Sequence, residues 1–205
     1  MVKQERAVRT RRAVLEAAAQ VMGVRGYEAA TMAEIIQQAG VTKGALYFHF
    51  SSKHALARAV IMEQTQPFEQ KVTASRLQDA IDFTHQVAVA LRDDPLLQAG
   101  TRIALETTFS EEPLVPYHAW IDIITKMFSD AQDNGELLPG VSPEGAAEFF
   151  VASYFGVQLF SMAASNRTDL PERVTVLWKH TLPGLATAGA LSHLEPRGSE
   201  ERAAV

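Results

Sequence analysis

There is no cysteine anywhere in the 205 residues. Disulfides and thiolate metal sites are therefore excluded, and a reducing, cytoplasmic location is expected. No apolar run reaches the roughly twenty residues that a membrane-spanning helix needs, so no membrane association is expected. The opening Met1-Val2-Lys3-Gln4-Glu5-Arg6 is charged and lacks an apolar signal core. Strand signals are scarce: β-branched residues rarely alternate with polar ones, and apolar residues recur at spacings of three and four instead. His85, His118, His180 and His193 are scattered without metal-ligand spacing. No HExxH, GxSxG or phosphate-loop pattern occurs. No catalytic residue, cofactor or metal is expected, and an enzyme is disfavoured.

What is present is enough apolar material for a real core, 47% of the chain. The net charge of −5 conceals a split. Residues 1–60 carry nine Lys and Arg against four acids, a net +5, and the rest of the chain carries −10. A basic head on an acidic body suits a protein that docks one end onto phosphates, although a solvated helix face would look similar. Periodicity and helix punctuation predict an all-α chain of about nine helices, near 5–24, 31–38, 42–48, 52–66, 76–92, 95–109, 114–133, 143–165 and 171–188. The expected organisation is a head at 1–50, a larger domain at 51–190 with a connecting helix at 51–66, and a loose polar tail at 191–205.

Residues 31–50, TMAEIIQQAGVTKGALYFHF, read as a helix-turn-helix. Thr31 opens the first helix in a capping-box pattern with Glu34, and Gly40 ends it. Ala33, Ile36 and Ala39 are expected to pack the two helices together. Val41, Leu46, Phe48 and Phe50 are expected in the core. The second helix should present short polar groups to phosphates and base edges. Candidate nucleic-acid contacts are Thr31, Thr42, Lys43, Gly44, Ala45, Tyr47, His49 and Lys53, with Arg6 and Arg9 reaching the backbone or the minor groove. His49 is open to a packing role as well.

The stretch Val14 to Val60 resembles the DNA-binding head of the TetR family of repressors. The residues that carry the resemblance are Ala17-Ala18-Ala19, Gly26-Tyr27, Thr31, Glu34-Ile35, Ala39-Gly40-Val41, Lys43-Gly44, Leu46-Tyr47, His49-Phe50, Lys53, Leu56 and Ala59-Val60. Met22 stands where an aromatic is usual and His54 where an acid is common. Within that family the chain is similar to the γ-butyrolactone autoregulator receptors, through residues 3–11, Val41 to Phe50 and Asn134-Gly135-Glu136-Leu137-Leu138-Pro139. The resemblance implies a homodimeric repressor of double-stranded operator DNA, released by a small butyrolactone or butenolide. It also implies a ligand contact at Gln64, where these receptors carry a glutamine.

An alkyl lactone needs an apolar cavity with a few placed polar groups. Candidate ligand residues on helical stripes are Phe83, Val87 and Leu91; Trp120 and Ile124; Phe155, Gln158 and Ser161; and Trp178. Each of the large apolar ones is equally legible as core. Phe149 to Ser165 mixes aromatics with small residues, as a dimer interface would. Such a dimer would set two reading helices one DNA turn apart, roughly 34–36 Å. The alternatives are an antibiotic or another apolar ligand, or a DNA-binding protein with no ligand.

Overall fold

The computed structural model describes residues 2–62, 72–106 and 115–199, which form ten helices. They are α1 (Val2–Arg25), α2 (Met32–Ala39), α3 (Lys43–His49), α4 (Lys53–Met62), α5 (Arg76–Asp93), α6 (Pro95–Leu105), α7 (Val115–Asp133), α8 (Pro143–Ser165), α9 (Leu170–Leu185) and α10 (Ala188–Leu191). The chain forms two compact units: residues 1–66 with 94–116, and residues 67–93 with 117–205. Gln64 lies outside the described residues, so its expected role is not placed.

The punctuation read from the sequence does its work. Thr31 Oγ1 accepts from the Glu34 amide while the Glu34 carboxylate accepts from the Thr31 amide, a complete capping box. Gly40, at φ 62°, returns its N–H to the end of α2, a conformation that a Cβ would strain. Thr42 caps α3, Asp94 with Pro95 opens α6, and Ser142 with Pro143 opens α8. Replacing Thr31 by Ala is expected to lower stability by about 1 kcal/mol, read as a lower urea midpoint.

The first unit is larger than a head ending at residue 50. The buried stripe of α1, with Val14, Leu15, Ala18 and Met22, is too broad for α2 and α3 to cover. Leu56, Ala57, Val60 and Ile61 of α4 and Leu96, Ala99 and Ile103 of α6 complete the same core. Within the helix-turn-helix, two expectations change. Ala33 is exposed, because the inward face of α2 is carried by Met32, Ile35, Ile36 and Ala39, with Ile35 fully buried. Phe48 is 80% exposed: Leu46 of α3 and the cap residue Phe50 take the inward positions, which leaves Tyr47 and Phe48 outside.

In the second unit α9 packs against both α5 and α8. Trp178 of α9 is fully buried against Phe150 and Phe128, with ring centroids 4.3 and 6.3 Å away. Its indole N–H donates to Thr84 Oγ1 at 2.7 Å, and Tyr154 Oη donates to the Thr84 carbonyl. Burial pushes the Tyr154 phenol far above its ordinary pKa, so this donor stays protonated. The Asn134–Pro139 turn is a three-way tie. Glu136 accepts from the Leu77 amide at the start of α5, Leu138 N–H donates to the Leu185 carbonyl, and Leu137 bridges to Ala186 at the end of α9.

Two further expectations change. The polar composition from residue 191 predicts a loose tail, yet residues 195–199 lie bound along α5. Gln78 exchanges hydrogen bonds with the Glu195 backbone, His85 Nε2 pairs with the Pro196 carbonyl at 2.9 Å, and Asp82 accepts from the Ser199 amide and hydroxyl. A polar composition hid this, because backbone groups rather than apolar side chains do the binding. Replacing Gln78 by Ala should cost about 1 kcal/mol and speed amide exchange across 195–199, seen by mass spectrometry. The second change concerns α8. By length and composition it is apolar enough to cross a membrane, whereas the sequence had shown no such run; a third of its most apolar window is buried inside the protein. Its two acids, Glu144 and Glu148, stand near its start.

Candidate functional sites

The first unit gathers exposed positive charge and a short helix with an open face. Arg6 and Arg9 of α1 and Lys43 of α3 are exposed. Gly44 follows Lys43, and nothing lies within 4 Å of where a Cβ would stand on it. Ala45 is half-buried, Tyr47 is 42% exposed, and the Lys43 ammonium lies 5.9 Å from the Tyr47 ring. Lys43, Gly44 and Tyr47 thus give α3 an open, positively charged face, and Arg6 and Arg9 add exposed positive charge to the same unit.

The other head candidates have structural partners. Thr31 and Thr42 use their hydroxyls as helix caps. His49 is half-buried between the rings of Phe48 and Phe50. Lys53 donates to the Glu28 carbonyl at 2.9 Å and stands 4.5 Å from the Tyr27 ring, so it holds the turn between α1 and α2. One of its three N–H donors is spent there. Nothing in the local pattern marks Glu106, which accepts from the Tyr27 amide 79 positions away.

In the second unit the apolar candidates meet through rings. Phe83 of α5 faces Trp120 of α7 at 6.1 Å, and Phe155 of α8 meets Tyr117 of α7 edge-on at 4.5 Å. Val87, Leu91 and Ile124 are buried. Trp120 and Phe155 are half-buried. Tyr117 had not been singled out; partial burial raises the pKa of its phenol, so it enters the same surroundings as a neutral donor.

The polar candidates divide. Ser161 is fully buried, but its hydroxyl donates to Asp169, which also takes Ser165 and Arg173. Arg173, with Ser161 and Ser165, holds the Asp169 carboxyl well below the usual carboxylate range. Ser161 and Asp169 thus lock the corner between α8 and α9. Trp178 likewise has its one donor engaged by Thr84. Gln158 differs: it is only 2% exposed, and its amide makes no hydrogen bond among the described residues. Its amide carbonyl and NH2 are therefore not committed to another described residue, whereas the fully enclosed side-chain atom without a partner among the described residues is Arg167 Nε.

From Phe149 onward the exposed side of α8 is apolar. Phe149 is 64% and Phe160 60% exposed, with Leu159 between them and Ala152 and Gly156 on the same stripe. Val176 on α9 is exposed as well. An apolar surface of this extent marks an interaction face.

Comparison with known proteins agrees with both units. Residues 14–60 match the family described as bacterial regulatory proteins, tetR family, and residues 74–187 match the tetracyclin repressor-like C-terminal domain. The chain belongs to the TetR family of DNA-binding transcriptional regulators, and it is not an enzyme. It is 44% identical over 204 residues to the A-factor receptor protein of Streptomyces griseus, an alignment covering all of this chain and 74% of that one. It is similar in structure to a TetR regulator from Streptomyces fradiae, TylP, at a TM-score of 0.84 and 36% identity, covering 98% of this chain and 90% of the other. A γ-butyrolactone receptor described as ArpA-like superposes at a TM-score of 0.68 and 28% identity, covering 90% of this chain and 92% of its own.

Proposed function

We propose that this protein is a cytoplasmic repressor that binds a pseudo-palindromic operator as a homodimer and leaves it when a γ-butyrolactone-type molecule enters the second unit. The observation that carries the ligand half is Gln158, a 2% exposed residue of the second unit whose amide makes no hydrogen bond among the described residues. A lactone carbonyl accepts from such an amide, and a hydroxyl donates to it. The alkyl tail would lie against Phe83, Val87, Leu91 and Ile124, with Trp120 and Phe155 at the edge. Ser161 and Trp178, already engaged, shape the walls and are not assigned contacts. The similarity to the A-factor receptor protein and to the γ-butyrolactone receptor supports the ligand class.

On the DNA side, Lys43, Gly44, Ala45 and Tyr47 read the groove while Arg6 and Arg9 neutralise phosphates. Thr31, Thr42, His49 and Lys53 hold these residues in place. The apolar stripe of α8 and α9 meets its copy across a two-fold axis, which sets the two reading helices at the spacing of one DNA turn. Ligand and operator must then weaken one another reciprocally.

Light scattering and fluorescence test this reading. The chain has only two tryptophans, Trp120 and Trp178. At micromolar concentration the mass should be that of a dimer, and a synthetic γ-butyrolactone should quench the emission saturably. A monomer would contradict the dimer. Indifference to a γ-butyrolactone and a butenolide alike, with quenching by an antibiotic, would move the ligand to another class.

A further inference from the structure

α6 opens the second stretch of the first unit, directly after residue 93 of the second. Residues 93 and 117, on either side of the 94–116 stretch, belong to the second unit. Yet α6 is also woven into the head: Leu96, Ala99 and Ile103 lie in one core with α1, α3 and α4.

At the C-terminal end of α6 stands Glu106, the cap residue. Its Oε2 accepts from the backbone N–H of Tyr27 at 2.8 Å. Tyr27 follows Gly26, which has φ +81° and lies so close that a Cβ on it would stand 3.0 Å from Glu106 Oε1. One turn of helix earlier, Arg102 Nη1 donates to the Gly23 carbonyl at the end of α1, and its guanidinium lies 3.9 Å from Glu106. The clasped turn, residues 26–30, is the one that launches α2. Lys53 grips the same turn from α4 through the Glu28 carbonyl and the Tyr27 ring.

We propose that Glu106 is a positioning residue for operator recognition: its hydrogen bond to the Tyr27 amide makes the orientation of α2 and α3 follow α6. The proposal rests on the DNA-binding reading above and not on the identity of the effector. A carboxylate accepting from a buried-side backbone N–H is a strong, directional link, and the bare Gly26 lets it close. The link is specific in chemistry. It needs an acceptor at the reach of a glutamate and makes no use of the negative charge on the DNA side.

Three full-length variants test it: Glu106→Gln, Glu106→Asp and Glu106→Ala. The probe is a pseudo-palindromic DNA selected by the wild-type protein from a random pool. Glutamine keeps the acceptor at the same reach; aspartate keeps the charge but falls one methylene short. Glu106→Gln should bind the selected DNA within about threefold of wild type, while Glu106→Asp and Glu106→Ala lose about tenfold. Affinity for random DNA should be unchanged in all three. Tyr27 amide exchange should quicken in the aspartate and alanine variants alone. In wild type and Glu106→Gln, DNA binding should slow amide exchange along α6; in Glu106→Asp that effect should vanish.

The opposite order, with aspartate tolerated and glutamine not, would overturn the proposal in favour of a purely electrostatic role. So would wild-type discrimination by Glu106→Ala. If the alanine variant fails to fold, the glutamine and aspartate pair still decides. A wild-type protein indifferent to every butyrolactone would sink the ligand assignment and leave this test intact, because DNA is its only probe.

Discussion

Replacing Gly44 by Asp should abolish operator binding, lowering affinity by roughly 100-fold or more, while leaving the protein folded. The reason is a mismatch between what the fold tolerates and what DNA tolerates. Gly44 is exposed in the first turn of α3, and no atom lies within 4 Å of the position a Cβ would occupy. The folded protein therefore has room for a side chain. It should even benefit slightly, since glycine is a poor helix former and an acid near a helix N-terminus is favourable. On the DNA the same carboxylate would face phosphates and occupy the space the backbone needs for close approach. Anisotropy with labelled operator, beside a melting curve, separates the two effects. A melting temperature unchanged or raised, with operator binding lost, is the expected pair. Unimpaired binding would mean that α3 does not present Gly44 to DNA.

Replacing Gln158 by Leu should have the reverse character in the second unit. Stability should stay the same or rise by about 1 kcal/mol, because an amide with no hydrogen bond among the described residues gives way to an apolar group of similar size. Effector affinity should fall at least about tenfold, because the amide is the polar anchor assigned to the lactone. Operator affinity without effector should not change, since Gln158 belongs to the second unit and Lys43 and Gly44 to the first. Fluorescence titration against a γ-butyrolactone, together with urea denaturation, reads both quantities. A destabilised variant with undiminished effector affinity would make Gln158 a packing residue.

The helix-turn-helix was legible in the sequence because its determinants are local. Thr31 with Glu34, Gly40 and Thr42 each act within four residues of where they stand, so spacing alone reveals them. Which face each short helix buries was less legible. Over seven or eight residues one position is the difference between core and solvent, and Phe48 and Ala33 fell on the other side of it. Ser161 and Trp178 show a second limit. Their chemistry qualified them as ligand contacts, and only the structure reveals that Asp169 and Thr84 already take their donors. The least legible features are hydrogen bonds between side chains and backbone at long range. Glu106 with Tyr27, Glu136 with Leu77, and Gln78 with Glu195 leave no periodic trace, because any backbone amide can serve as the partner.

The central claim is that one protein holds operator DNA and lets it go when a small lactone binds. The direct measurement is fluorescence anisotropy of a labelled operator from DNA flanking the gene, saturated with protein at fixed moderate salt and titrated with a synthetic γ-butyrolactone. The account predicts a specific complex that dissociates at effector concentrations matching those that quench tryptophan emission. A complex that persists at saturating, demonstrably bound lactone would contradict it.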